Sequence, residues 1–359
     1  MVMNVLEIHA GPRARAHLQA QRLRPHDVRV IPAAAGGPKG LVLNALDRFL
    51  FGRWLPRGGQ TVHLLGASIG AWRMAMACLA DPDAAFAQLA VDYIGQDYDH
   101  APGRLPRTSE VSAVFGANLT ERLGGHQHEV LNHPRWRLHV FTSRGRHLLR
   151  REGRVRTPLG YLGAFATNAL SRRAMGGWLE RVIFSDERDP LPIRLHDFRT
   201  HRVALDAMNL QPSILASCSI PFWLDAVHDI PGAPRGAYWD GGITDYHLHL
   251  DYASIRDGLV LYPHFQKAVI PGWLDKALRH RHRATTRLDN VVVLAPSAQW
   301  IATLPNAKLP DRADFKRYGD DLAARIRDWS EVVQRSEQLA EAFERWLEDP
   351  ARIEVQPLV

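Results

Sequence analysis

The chain has 359 residues, 46% apolar and 23% charged, and a formal net charge of +7. That length and balance suit one large globular domain or two smaller ones, and exclude a disordered chain, a fibrous repeat or a small disulfide framework. Five of the 45 basic residues are lysine and the rest arginine, a bias that favours phosphate or anionic lipid surfaces over neutral ones only weakly.

Taken in chain order, Met1 to Glu7 lacks a basic segment followed by an apolar one, so no signal peptide is expected. No apolar run reaches about 18 residues, so no membrane span is expected either. These two readings predict a cytoplasmic protein with at most peripheral lipid contact. Val28 to Ile31 reads as a strand running into Ala33-Ala34-Ala35-Gly36-Gly37-Pro38-Lys39-Gly40, then a helix through Leu50. A second strand, Val62 to Leu65, leads into Gly66-Ala67-Ser68-Ile69-Gly70 and a helix over Ala71–Leu79. Strand, glycine turn and helix thus recur, which argues for an α/β domain with a largely parallel sheet.

Residues 82–95 and 108–123 read as helices. Trp136 to Thr142 and Leu148 to Val155 read as a hairpin turning near Gly145. Pro158 to Val182 mixes large apolar side chains with glycine breaks, the pattern of core helices or of a mobile lid or acyl-chain wall. Short strands are predicted around Val182-Ile183-Phe184, Val203-Ala204-Leu205, Leu259-Val260-Leu261 and Val291 to Leu294. The densest basic run is Arg279-His280-Arg281-His282-Arg283, and no aromatic-rich motif accompanies it, so nucleic acid is not an expected partner. From Phe315 to Trp346, apolar residues recur at helical spacing, predicting one or two amphipathic helices packed over the sheet. Cys78 and Cys218, in apolar or small-residue surroundings, read as two buried thiols.

Three stretches carry chemistry. G-x-S-x-G between a strand and a helix is the pattern of a nucleophile elbow, with small residues at Gly66 and Gly70 letting the turn close and Ser68 exposed to substrate. A serine hydroxyl needs a base to become a nucleophile and donors for the oxyanion it creates. The loop Gly36-Gly37-Pro38-Lys39-Gly40 can aim the Gly36 and Gly37 N–H groups into a cavity, whereas Pro38 has none to give. It fits neither common nucleotide-binding glycine pattern. Asp240-Gly241-Gly242 puts an acid beside two glycines, free to turn toward a neighbour. His247, His249 and His264 are the alternative bases, for a Ser-His-Asp triad. The H-x-H pair lacks a clear third ligand, so no metal is expected.

In content and order, the glycine loop, the G-x-S-x-G and the Asp-Gly-Gly resemble the patatin-like phospholipases, as does Ala216-Ser217 followed by Pro221. The resemblance spans about residues 28–245. It implies a patatin-like three-layer α/β/α sandwich with a mainly parallel central sheet and added C-terminal helices. It also implies a serine lipid acyl hydrolase with a Ser-Asp dyad, Ser68 and Asp240, working without calcium or another cofactor. Gly36 and Gly37 match the family's oxyanion glycines, and Lys39 with Gly40 the part that supports the loop. Ala35 and Ala34 depart from the family's first glycine and a frequent preceding acid. The expected division is a catalytic domain over 1–310 and a helical extension over 311–359 packed on it. The substrate would be a lipid or acyl ester, cleaved by hydrolysis or passed on by transacylation. A non-catalytic lipid-binding protein of the same fold is the competing class. The sequence assigns no oligomeric state.

Overall fold

The computed structural model describes residues 4–98 and 106–358. Its strands are β1 (Leu6–Ala10), β2 (Val28–Ala33), β3 (Val62–Ala67), β4 (Trp136–Gly145), β5 (Leu179–Ser185) and β6 (Thr200–Ala204). These are followed by β7 (Val227–His228), β8 (Ala237–Trp239), β9 (Leu259–Pro263), β10 (Val291–Pro296) and β11 (Val355–Pro357). They form one mixed, mostly parallel sheet in the order β11-β1-β10-β9-β2-β3-β4-β5-β6. β10, β9, β2, β3 and β4 all run parallel. Every residue of β3 and β10 is buried, as expected for strands covered by helices on both faces. The arrangement is the expected α/β sandwich with helices on both sides of a mainly parallel sheet.

Two details of this topology position the site. Strand β2 is flanked by β3 on one side and β9 on the other, so the chain order reverses there. In open α/β sheets such a reversal leaves a crevice at the carboxyl ends of the strands. The loop after β2 and the turn after β3 both open into it. The second detail is at β4, whose one edge is held by β5 from His139 to Gly145. On the other edge, β3 pairs as far as Ala67 opposite Phe141, and antiparallel β8 takes over at Trp239 opposite Ser143. The residue after β3 and the residue after β8 therefore meet head-on above one strand. Those residues are Ser68 and Asp240.

The predicted hairpin is a correction. Only its first strand forms, longer than expected, and its antiparallel partner is β5. His147–Arg150 is a 3₁₀ turn, and a helix begins at Arg156. A second strand over 148–155 would need one buried face, but Arg150, Arg151 and Arg154 crowd the run, and of the two leucines Leu149 is buried and Leu148 exposed. Instead the Arg146 N–H bonds the Trp178 carbonyl.

The helices predicted over 82–95 and 108–123 form as Pro82–Ile94 and Thr108–Leu123. The segment after the glycine loop begins as a 3₁₀ helix, Gly37–Leu43, and becomes α-helical only over Asn44–Phe49. The C-terminal stripe forms three helices, Ala313–Tyr318, Leu322–Arg335 and Glu337–Glu348. Gly319, at φ 52°, breaks the first from the second. Phe343 and Trp346 are buried, and Phe343 meets Phe49 and Trp54 edge-on. Between Pro158 and Val182, the helix Arg156–Leu170 buries Tyr161, Ala164 and Asn168 against the body and turns Leu159, Leu162 and Phe165 outward.

Candidate active site

Ser68 ends β3 and opens the helix Ile69–Met76 with φ 56° and ψ −131°. A serine held there costs about 1–3 kcal/mol of backbone strain, which the surroundings must impose. Both motif glycines impose it by close approach. A Cβ on Gly66 would lie 2.3 Å from the Ala71 Cα, and one on Gly70 would lie 2.0 Å from the Ala33 carbonyl oxygen. The Ser68 N–H donates to the Ser217 hydroxyl at 2.8 Å, and that hydroxyl donates to the Phe141 carbonyl at 2.6 Å. The backbone of the turn is thus tied down while its Oγ stays free to face Asp240.

Ser68 Oγ donates to Asp240 Oδ2 at 2.7 Å. The other carboxylate oxygen accepts the Gly242 N–H, also at 2.7 Å. Asp240 is locked from behind as well: its N–H bonds the Ser219 carbonyl, and its own carbonyl accepts from the Ser143 hydroxyl. Burial raises the Asp240 pKa from the ordinary carboxylate range, against the hydrogen bonds from Ser68 and Gly242 and the charges of Arg312 and Lys276, which lower it. A carboxylate with a raised pKa, 2.7 Å from a hydroxyl, is a competent proton acceptor.

The glycine loop lies beside this pair. Gly37 has φ 56°, a conformation open to glycine at little cost. A Cβ on Gly36 would strike the Phe265 ring at 2.5 Å. Among the described residues, neither the Gly36 nor the Gly37 N–H has a hydrogen-bond partner in the chain. Such free donors beside a nucleophile are what an oxyanion site requires. Lys39 holds its ammonium over the Phe265 ring, 5.4 Å from the centroid, and Gly40 packs against Ile69 of the elbow helix.

Two cavities meet at the pair. The larger, about 1040 Å³, reaches Ser68 and Gly37 and is walled mainly by apolar side chains including Ile69, Phe115, Ile220, Trp223 and Leu224. The smaller, about 270 Å³, reaches Asp240 and Gly36 and is lined by Lys39, Lys276 and Arg312. Ile220, Arg312 and Ala313 border both.

The three candidate histidines lie elsewhere. His247 Nδ1 sits 3.1 Å from the Ala268 carbonyl, His264 Nδ1 accepts the Gln266 N–H, and His249 Nε2 is 3.4 Å from the Thr285 hydroxyl. Burial pushes His264 down to about 3 and His249 down to about 4. Among the described residues, none of the three hydrogen-bonds Ser68 or Asp240, and no group of three His, Cys, Asp or Glu is placed to hold a metal. Cys78 and Cys218 are buried free thiols.

Three residues of the site went unassigned in the sequence. Ser217 was visible in the Ala-Ser run, but its role as acceptor for the elbow N–H needs the tertiary contact. Arg312 and Lys276 sit in segments whose sequence offers only surface charge and amphipathic spacing. A family model for patatin-like phospholipases matches residues 35–248. No curated protein matches the chain.

Proposed function

The chain belongs to the patatin-like phospholipase family, whose members are generally hydrolases of lipid esters, and from that premise we propose that it is a serine lipid acyl hydrolase working through an acyl-enzyme on Ser68. The observation that carries this is the 2.7 Å contact between Ser68 Oγ and the Asp240 carboxylate at the junction of an apolar cavity and a cationic one. Ser68 Oγ attacks the ester carbonyl carbon as its proton passes to Asp240 Oδ2. The negative charge forming on the carbonyl oxygen is taken by the Gly36 and Gly37 N–H groups. Collapse breaks the ester bond, and Asp240 returns the proton to the departing alcohol. Water then gives a proton to Asp240 as it attacks the acyl carbonyl, and collapse releases the fatty acid as Asp240 returns that proton to Ser68 Oγ. An acyl acceptor other than water in that last step makes the same intermediate a transacylase.

The large cavity supports the acyl side of this reading. Its volume is near the upper end of ligand sites, which run to about 1,000 Å³, and its walls are mostly apolar. We assign catalysis to 1–310 and read 311–359 as an extension that packs on it and closes the cavity with Arg312 and Phe315. No metal enters the scheme, so activity is expected to persist in chelator.

The substrate surface is proposed to be an anionic lipid layer. Among the described residues no helix is long and apolar enough to cross a membrane. The helix Arg156–Leu170 nevertheless exposes Leu159, Leu162, Phe165 and Leu170, the last at 86%, and carries no acidic residue. Exposed Arg156 begins it, and exposed Arg151, Arg154 and Arg173 lie before and after it. Arg281 bonds Asp275 beside Asn168, bringing the basic run to its C-terminal end. Tyr161 on its inner face meets Phe222, next to cavity-lining Trp223. An apolar stripe with basic flanks suits an anionic interface.

The test is hydrolysis of nitrophenyl esters of graded chain length and of phospholipid, in chelator. Ser68→Ala and Asp240→Ala are expected to lose at least about 1,000-fold in kcat, while the His247→Ala/His249→Ala/His264→Ala variant keeps its activity if it folds. Full activity in Ser68→Ala overturns the mechanism. Loss confined to a folded triple-histidine variant favours a triad.

A further inference from the structure

The smaller cavity carries a charge surplus that the acyl-transfer scheme does not use. Lys39, Lys276 and Arg312 line it together with Asp240 and Asp311. Asp311 shares Lys308 with Asp314, at 2.8 Å to each, and Asp240 accepts from Ser68. Among the described residues none of the three cations has an ion-pair partner. Lys276 sits over the Tyr246 ring, 4.1 Å from its centroid, and Lys39 over Phe265. Aromatic faces hold both ammonium groups without neutralising them. Arg312 stands at the border of the two cavities, where a Cβ on Gly37 would come within 3.6 Å of its Nε.

With Lys308 shared by Asp311 and Asp314, four cations meet three carboxylates around this cavity, so positive charge stays in excess and Lys39, Lys276 and Arg312 are its unpaired carriers. An acyl chain in the apolar cavity leaves the adjoining smaller cavity, which reaches Asp240, for the alcohol half of the ester. We propose that Lys39, Lys276 and Arg312 form a leaving-group subsite for a phosphate monoester, so that the preferred substrate is an acyl ester of a phosphorylated alcohol such as acylglycerol phosphate. This rests on the hydrolase reading above and adds to it the charge of the alcohol. A choline or ethanolamine head group is disfavoured because its ammonium would meet three unpaired cations here. Lys39 lies within the segment matched by the family model, whereas Lys276 and Arg312 lie beyond it. Repulsion among the cluster supports the assignment. Burial, with the charges of Lys39 and Arg312, lowers the Lys276 pKa to about 8, and a bound dianion relieves that.

Two arms test this. In the first, kcat/KM is compared for acylglycerol phosphate, neutral monoacylglycerol and acyl glycerophosphocholine, each below its aggregation concentration. The wild type is expected to favour the phosphate monoester by at least about tenfold, and Lys276→Gln/Arg312→Gln to erase that preference, with Lys276→Arg restoring part of it. Equal use of the three by the wild type, or an unchanged preference in the folded double variant, overturns the subsite. The second arm needs no turnover: calorimetry of glycerol 3-phosphate binding to Ser68→Ala, with and without the double substitution. Binding that weakens at least fivefold in the double variant supports the subsite even if no ester is hydrolysed, which would sink the hydrolase reading alone. Absent or unweakened binding overturns it. Glycerol 3-phosphate is also expected to compete with a nitrophenyl ester, and a non-competitive effect would place the phosphate at another site and refute the assignment.

Discussion

Gly70→Ala is the sharpest perturbation of the elbow, because it adds one carbon and changes no reacting group. An added Cβ would sit 2.0 Å from the Ala33 carbonyl oxygen and 2.5 Å from its carbon, where real contacts stop near 3.0 Å. Helix Ile69–Met76 and the end of β2 must therefore part by about 1 Å. Both neighbours are backbone, so no side-chain rotation relieves the clash. Overpacking of this kind costs about 1–3 kcal/mol. The displaced end of β2 leads directly into Gly36 and Gly37, so the donors move relative to Ser68. A misplacement of about 1 Å typically costs about 100-fold in rate. The assay is kcat on a short nitrophenyl ester beside a urea melt. Gly59→Ala is the control, since nothing lies within 4 Å of the added carbon. A Gly70→Ala enzyme with wild-type kcat would refute the idea that close approach at this glycine sets the elbow.

Asp47 and Arg73 form a buried, two-pronged pair at 2.7 Å that ties helix Asn44–Phe49 to the elbow helix. Asp47→Ala leaves Arg73 buried and unpaired and is expected to lower stability by about 3–5 kcal/mol, read as a fall in the urea midpoint. The base must be ionised and its pKa is raised, so the acid limb of kcat/KM lies above the ordinary aspartate value of 3.8, and activity falls as pH drops through it. Arg312 holds that pKa down, so Arg312→Gln should move the limb to higher pH, and an unmoved limb would contradict the assignment. Leu159→Asp/Leu162→Asp places two charges on the exposed stripe and should weaken sedimentation with anionic vesicles at least tenfold without changing hydrolysis of a soluble ester. Unchanged vesicle binding would remove the helix from the interface.

Much of the site was legible in the chain because close packing demands particular residues there. Gly66 and Gly70 are glycines since backbone atoms occupy the space of any side chain, and that necessity makes the elbow readable. The central strands β2, β3, β9 and β10 were legible as short apolar runs, because burial on both faces requires them, whereas β1 and β11, at one end of the sheet, were not. The second half of the supposed hairpin was not, since Leu148 and Leu149 alternate like a strand while the arginines after them cannot be buried. Arg312 and Lys276 were hidden for another reason. Their place in the lining of the smaller cavity comes from the packing of two segments distant in sequence, and nothing in local spacing encodes that. The meeting of Ser68 with Asp240 across 172 positions was legible only through resemblance. The strand pairing supplies the physical cause, since β3 and β8 share one edge of β4.

The central claim is that Ser68 is activated by Asp240 and by no histidine. A fluorophosphonate probe, followed by peptide mass spectrometry, tests it most directly. One adduct is expected, on the peptide carrying Ser68. Its rate of formation should fall at least about 100-fold in Asp240→Asn and stay within about twofold of wild type in a folded His247→Ala/His249→Ala/His264→Ala variant. Labelling at another serine, or undiminished labelling of Ser68 in Asp240→Asn, would contradict it.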